Sequence, residues 1–161
     1  MDSDPELFLQ YISQIDSMSI VAILFLFLLL FCSALISGTE VAFFSLSKTD
    51  IIKISEQTKE SNPVVTLLQK PRKLLATILI ANNFLNILIV LIFASLGAVF
   101  LKDQNLSLKI IGFTISSGIV KFSIEVILVT FLILLFGEVL PKVYASRRAL
   151  KFCNFMSKPL Q

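Results

Sequence analysis

The last long apolar run of the sequence ends in Phe136-Gly137-Glu138-Val139-Leu140-Pro141-Lys142, which puts a carboxylate and a proline inside a hydrophobic segment. A charge at the centre of a bilayer helix costs at least about 2.5 kcal/mol, so such an acid indicates a functional site by default. The ring of Pro141 excludes the hydrogen bond to the carbonyl of Gly137, four residues back. A freed backbone oxygen and a carboxylate oxygen therefore fall on neighbouring residues, which favours a polar cavity at this point.

Three uncharged stretches identify the chain as a membrane protein. Its 161 residues are 56% hydrophobic, more than is usual for a soluble domain. No charged residue lies between Asp16 and Glu40, or from Leu74 to Leu101, and each stretch is long enough to cross a hydrocarbon core of about 30 Å. We therefore predict an all-α integral membrane domain over 19–145, with transmembrane helices at about 19–44, 74–101 and 117–144.

The segments outside these spans are expected at the membrane surface. Residues 1–18 are acidic and weakly amphipathic, and we expect a short interfacial helix or no ordered structure there. In 45–73, apolar residues recur at helical intervals around Asn62-Pro63, which predicts a hairpin of two amphipathic helices. We interpret 110–115 as a short re-entrant or interfacial piece. The basic segment 146–161 is expected to contact the anionic headgroups of membrane lipids.

Basic residues are distributed unevenly across the predicted membrane. The loop at 45–73 and the segment from Lys142 onward carry eleven Lys and Arg residues, against three in the rest of the chain. Short cytosolic loops of membrane proteins carry the excess of such residues. We therefore predict an inner (plasma) membrane protein with its N-terminus outside and its C-terminus in the cytosol.

Five polar side chains, one or two in each predicted helix, share one depth. Ser33 and Ser37 lie one turn apart in the cytosolic half of the first span. Asn82 and Asn86 repeat that spacing, beginning about 12 Å of helix into the second span, and Glu138 lies near the end of the third. Hydroxyl, amide and carboxylate oxygens are hard ligands that suit Mg²⁺ or Ca²⁺ and could also hold Na⁺. We call these five residues the polar layer and predict a metal site there.

Composition argues against other kinds of site. The sequence has no His, and its two cysteines, Cys32 and Cys153, lie in an apolar helix and in the basic tail, so neither soft-metal ligation nor a disulfide framework is expected. No nucleophile stands beside a base and no second carboxylate lies near Glu138, so we expect no enzymatic activity. A nucleic-acid partner is not expected either. Because three spans cannot enclose a wide pore, the metal site is expected in a shallow cavity open to the cytosol, or in a dimer.

Three motifs in order resemble a known family. They are Ser33-Ala34-X-X-Ser37-Gly38-X-Glu40-X-Ala42, Ala81-Asn82-X-X-X-Asn86 and Gly137-Glu138-X-X-Pro141-Lys142. Over about residues 18–158 the sequence resembles the transmembrane domain of the cyclin M / CorC (CNNM) family of magnesium transporters. Two positions depart from the family pattern, which has Gly in place of Ala81 and usually Ser in place of Thr39.

The resemblance implies a homodimer with three spans per subunit and a belt of juxtamembrane helices. It implies Mg²⁺ export, often described as Na⁺-coupled, with a cytosolic pair of ATP-binding CBS domains and a small C-terminal domain that these 161 residues do not include. The acidic, Asp-Pro-containing N-terminus also resembles that of a bacterial branch linked to gliding motility. The Mg²⁺ ligands or their immediate supports would be Ser33, Ser37, Asn82, Asn86 and Glu138.

The alternative is a membrane scaffold or accessory protein, for example in gliding motility, without transport of its own. In that case the asparagines and serines serve only helix packing. Lys142, the cation nearest to Glu138, is expected to extend to the interface. Glu40 is solvated, caps a juxtamembrane helix or belongs to an access path. Lys121 and Glu125 are interpreted as a plain interfacial pair.

Overall fold

Three long helices make up most of the described chain, as the uncharged stretches predict. The computed structural model describes residues 17–57, 62–100, 108–110 and 113–160. In chain order the elements are α1 (Ser17–Phe44), α2 (Lys48–Gln57), α3 (Pro63–Leu68), α4 (Pro71–Phe100), β1 (Leu108–Ile110), β2 (Phe113–Ile115), α5 (Ser117–Leu132), a π-helical segment (Ile133–Val139), α6 (Leu140–Arg147) and α7 (Ala149–Met156).

The predicted all-α membrane architecture is confirmed. Helix α1, helix α4 and the continuous helical stretch Ser117–Arg147 are each long and apolar enough to cross a membrane. Helix α4 begins three residues before the predicted span, because a proline at the first helical position costs no hydrogen bond and already has the helical φ angle. The expectation for residues 1–18 falls almost wholly outside the described residues and stays a prediction.

The connections between the long helices are short elements with identifiable caps. Helix α2 follows Ser47, whose hydroxyl accepts from the Asp50 amide while Asp50 Oδ2 accepts from the Ser47 amide, each at 3.2 Å. This reciprocal pair satisfies amide groups that the first helical turn leaves free. Helix α3 follows Asn62, whose side chain accepts from the Val64 amide at 3.0 Å. In the segment interpreted as re-entrant or interfacial, β1 and β2 form an antiparallel hairpin with Leu108 opposite Ile115.

Two apolar clusters hold the helices together, and the polar layer separates them along each long helix. The first cluster joins the end of α1 and the start of α4 to the short helices, and it contains Ala42, Phe43, Ile54, Val64, Leu74, Ile78, Ala145, Cys153 and Met156. The second lies toward the other end of the bundle and contains Leu26, Leu29, Leu30, Ile89, Leu96, Val129 and Ile133. Burial of these side chains supplies the packing that fixes how the three helices face one another.

Two glycines allow side chains of other helices to pack closely against α1 and α4. A Cβ atom on Gly38 of α1 would lie 2.7 Å from Cζ of Phe152, so the missing side chain lets α7 pack against α1. A Cβ atom on Gly97 of α4 would overlap the carboxylate of Glu125. Glu125 therefore packs against α4, which the interpretation of a plain interfacial pair did not include.

We expect Cys153 to resist alkylation in the folded chain. Burial raises the pKa of its thiol from 9.0 to about 12, because water is removed from around the charged form. Only the thiolate reacts, so at pH 8 the native thiol should react roughly a thousandfold more slowly than in the unfolded chain. The unfolded state also loses this proton first, so this residue's contribution makes stability fall as pH rises from about 9 toward 12.

Iodoacetamide labelling followed by mass spectrometry measures this, in a Cys32→Ser background so that only one thiol can react. Labelling before and after denaturation in SDS gives the two rates. Equal rates would contradict the burial of this side chain.

Candidate metal site

The polar layer is largely joined by hydrogen bonds across the three spans. Ser33 Oγ of α1 lies 3.3 Å from Asn82 Oδ1 and 3.2 Å from Asn86 Oδ1, both on α4. Asn86 Nδ2 donates to Glu138 Oε1 of the π-helical segment at 3.3 Å. Four of the five residues predicted from sequence therefore form one connected group, and Ser37 lies one turn further along α1.

The arrangement has more acceptors than donors at its centre. A serine hydroxyl carries one proton, so Ser33 can donate to only one of the two asparagine oxygens at a time. Both distances also exceed the roughly 2.7–2.8 Å typical of an O–H···O bond. With the Asn82 amide in this orientation, oxygens of Ser33, Asn82 and Asn86 converge with a single hydroxyl proton between them, and a cation would satisfy the remaining acceptor.

Ser37 adds a second unsatisfied oxygen. Its side chain is 1% exposed, and its Oγ has no hydrogen-bond partner among the described residues. Helical hydroxyls usually bond to a backbone carbonyl one turn back, and Thr39 does so to Leu35 at 2.6 Å, as Thr77 and Ser123 do to theirs. An unsatisfied buried hydroxyl costs about 1–3 kcal/mol. An unsatisfied hydroxyl within the polar layer is the property expected of a ligand oxygen.

The backbone around Glu138 is widened, and Pro141 explains why. The Leu140 N–H bonds to the carbonyl of Leu135, five residues back, where an α-helix would use four. Pro141 has no N–H and its ring would clash with the carbonyl four residues back, so a π-helical turn relieves the conflict. Such turns occur frequently at functional sites.

Gly137, inside the widened segment, controls the approach of α1. It is buried, and a Cβ atom placed on it would lie 3.1 Å from Ser33 Oγ. Only glycine leaves normal contact distance here. From the sequence, Gly137 was singled out for its carbonyl, but its contact with Ser33 was not predicted, because residue spacing within one helix does not show which other helix it faces.

Lys142, the basic residue nearest to Glu138 in sequence, forms its ion pair with a different carboxylate. Lys142 Nζ lies 3.2 Å from Glu40 Oε2, and both side chains are about one-third exposed. From the sequence, Lys142 was expected at the interface, and three alternatives were given for Glu40. The ion pair between them was not predicted, although both residues lie in the family motifs. Within the described residues, the hydrogen bond to the Glu138 carboxylate comes from Asn86, and no ion pair neutralises it.

The Glu40–Lys142 ion pair lies about one turn beyond the polar layer on both helices. It borders a cavity of about 330 Å³, which is also lined by Val41, Phe44 and Leu75. The polar layer is therefore bounded on this side by a charged pair and an open cavity. On the opposite side it is bounded by the second apolar cluster.

The donor set fits a hard cation. Among the described residues no three His, Cys, Asp or Glu side chains gather, so a soft or multi-carboxylate centre is not formed there. Two hydroxyls, two amide groups and one carboxylate remain. Mg²⁺ commonly binds one or two carboxylates and keeps several waters, and this set of ligands matches that coordination preference.

Comparisons with known proteins agree with the motifs. The profile of the family described as "Cyclin M transmembrane N-terminal domain" matches residues 23–161; this description names a transmembrane domain and no enzyme. The "UPF0053 protein" of Haemophilus influenzae is 35% identical over 133 residues, which cover 82% of this chain and 28% of that protein. The "UPF0053 inner membrane protein YfjD" of Escherichia coli is 30% identical over 133 residues, covering 80% and 27%. The chain therefore spans less than a third of either relative's length.

Proposed function

The chain belongs to the cyclin M transmembrane N-terminal domain family, and from that premise we propose that it is the membrane domain of a divalent-cation transporter whose cargo is Mg²⁺. The observation that supports this most directly is the group of converging oxygen acceptors in the polar layer, above all the Ser37 hydroxyl, which has no partner in the described part of the chain. Hard oxygens with a single negative charge are ligands that Mg²⁺ accepts. The proposed ligands are Ser33, Ser37, Asn82, Asn86 and Glu138.

The charge balance suits transport better than permanent binding. Glu138 neutralises half of the charge of a divalent ion, and neutral dipoles and retained waters stabilise the rest. A transported ion must bind well enough to enter and weakly enough to leave. In the proposed binding step, the Ser33 hydroxyl turns its proton away from Asn82 and Asn86, so that their oxygens face the ion.

We further propose export, with Na⁺ as the coupling ion, as the family resemblance implies. The same oxygen set would accept Na⁺. The uneven distribution of Lys and Arg supports an N-terminus outside and the polar layer nearer the cytosolic face. The name of the Escherichia coli relative supports the inner membrane as the location.

We propose a homodimer as the working unit, with the CBS pair as a cytosolic partner. Asn83 supports the dimer, because its amide is exposed about 18 Å of helix beyond Pro71, on an outer face of α4. It borders a cavity of about 380 Å³ together with Ile87 and Val90. An amide facing hydrocarbon is costly unless another helix supplies a partner, and a second copy would do so.

Ser37→Ala tests the metal site through two effects of opposite sign. Without Mg²⁺ the variant should be as stable as the parent or more stable, by up to about 1 kcal/mol, because an unsatisfied buried hydroxyl is removed. With Mg²⁺ its affinity should fall by about tenfold, the equivalent of about 1.4 kcal/mol. Thermal unfolding in detergent with and without MgCl₂, together with isothermal titration, measures both.

Thr39→Val is the matched control, because the hydroxyl of Thr39 is buried but already bonded. It should lose stability and keep its Mg²⁺ affinity. If the parent chain shows no Mg²⁺-dependent stabilisation, the proposal is wrong, because a bound ion must raise stability. The polar layer would then serve helix packing alone, as in a membrane scaffold without transport.

A further inference from the structure

A separate groove lies where α3 ends and α4 begins. Its volume is about 340 Å³, and its lining divides cleanly by chemistry into two ammonium groups, two hydroxyls and three leucines. The lining residues are Thr66, Leu67, Lys70, Lys73, Leu74, Thr77 and Leu160. None belongs to the polar layer, and the groove has no part in the metal site.

The groove extends from the polar turn before α4 into the start of this long apolar helix. It begins at Lys70, in the polar turn before α4, and continues to Thr77, about 10 Å further along the helix. Lys73 and Thr77 are four residues apart and share one face of α4. Leu74, buried in the first apolar cluster, forms the floor. The outer end of the groove is therefore cationic, and its inner end reaches into the apolar span.

Within the described part of the chain, no acidic side chain compensates the charge of the groove. Among the described residues no acidic side chain lines it, and neither Lys70 nor Lys73 forms an ion pair with a described carboxylate. Both side chains are exposed. Two ammonium groups one helical turn apart repel each other, so an anion held between them would be attracted by both and would relieve that repulsion.

We propose that this groove binds one anionic phospholipid from the leaflet that surrounds the start of α4. The phosphate lies between Lys70 and Lys73, the glycerol backbone at the depth of Thr77, and an acyl chain follows α4 into the membrane. A soluble phosphate would use only the cationic end. The continuation of the groove into an apolar span is the feature that favours a lipid.

The experiment uses the whole 161-residue chain in an uncharged detergent. Short-chain phosphatidylglycerol, phosphatidylcholine with the same acyl chains, and glycerol 3-phosphate are titrated separately, and binding is read by native mass spectrometry. We expect one phosphatidylglycerol to bind, with phosphatidylcholine at least about tenfold weaker and glycerol 3-phosphate unbound at the same concentrations. A lysine near a membrane surface contributes about 1 kcal/mol, or about fivefold in affinity. Lys70→Gln/Lys73→Gln should therefore bind phosphatidylglycerol roughly twenty-fivefold more weakly.

Arg72→Gln is the matched control, because Arg72 lies between the two lysines in sequence but does not line the groove. It should keep the parent affinity within about twofold, whereas Lys73→Gln alone should lose about fivefold. If the double variant fails to fold, the comparison of these two single variants still tests whether the groove lysines bind the lipid. Equal losses in Arg72→Gln and Lys73→Gln would mean diffuse attraction to the surface and would overturn the proposal. Equal binding of glycerol 3-phosphate and phosphatidylglycerol would overturn it in favour of a soluble anion.

Discussion

Glu138→Gln is expected to weaken Mg²⁺ binding by at least about a hundredfold and to abolish Mg²⁺ flux. Glutamine keeps the shape of the side chain and an oxygen that can accept from Asn86, which lies 3.3 Å from the carboxylate in the parent chain. What disappears is the negative charge in the polar layer, in surroundings where charge interactions are far stronger than in water. A hundredfold loss corresponds to about 2.7 kcal/mol, which is small for the interaction between a carboxylate and a divalent cation in such surroundings.

Glu125→Gln provides the control, because it is the same substitution in the same span. Its carboxylate packs against Gly97, away from the polar layer, so Mg²⁺ affinity should change by less than about twofold. Isothermal titration and flux into liposomes, measured on both variants and the parent, separate the two positions. Unchanged affinity in Glu138→Gln would remove this residue, and with it the negative charge, from the proposed site.

Gly38→Val is expected to destabilise the folded chain by about 1–3 kcal/mol, the usual cost of overpacking. A Cβ atom at this position would lie 2.7 Å from Phe152 Cζ and 3.4 Å from Ala145 Cβ. The added methyl groups would force α6 and α7 away from α1. Because Ser37 is the neighbouring residue, we also expect weaker Mg²⁺ binding. Chemical denaturation in mixed micelles measures the stability change.

Gly118→Val and a second substitution at Phe152 complete this test. Among the described residues, a Cβ atom on Gly118 would meet only Ser116 Oγ, at 3.7 Å, so valine there should change stability by less than about 0.5 kcal/mol. Phe152→Ala removes the side chain that collides with the new one. Gly38→Val/Phe152→Ala should therefore be less destabilised than the sum of the single variants, the coupling expected of residues in contact. Strict additivity would show that this contact is not the cause.

The sequence by itself determined the architecture and which polar residues share one depth, because a bilayer imposes one strong constraint along one axis. A stretch without charges must span the membrane, so three such stretches gave three helices. Once the spans are known, depth follows from residue number. Ser33, Asn82 and Glu138 could therefore be assigned to one layer without any knowledge of contacts, and the structure joins them through Asn86.

Only the tertiary structure decided which groups meet, because hydropathy fixes depth but not the rotation or approach of a helix, which packing sets. Lys142 is one turn from Glu138 in sequence, yet it pairs with Glu40 of another helix. Ser33 and Ser37 carry the same hydroxyl on one face of α1, yet Ser33 is hydrogen-bonded and Ser37 has no partner among the residues that the structure describes. The conflict at Pro141 was visible in the sequence, but the sequence did not show that a π-helical turn relieves it or that Gly137 lies against Ser33 of α1.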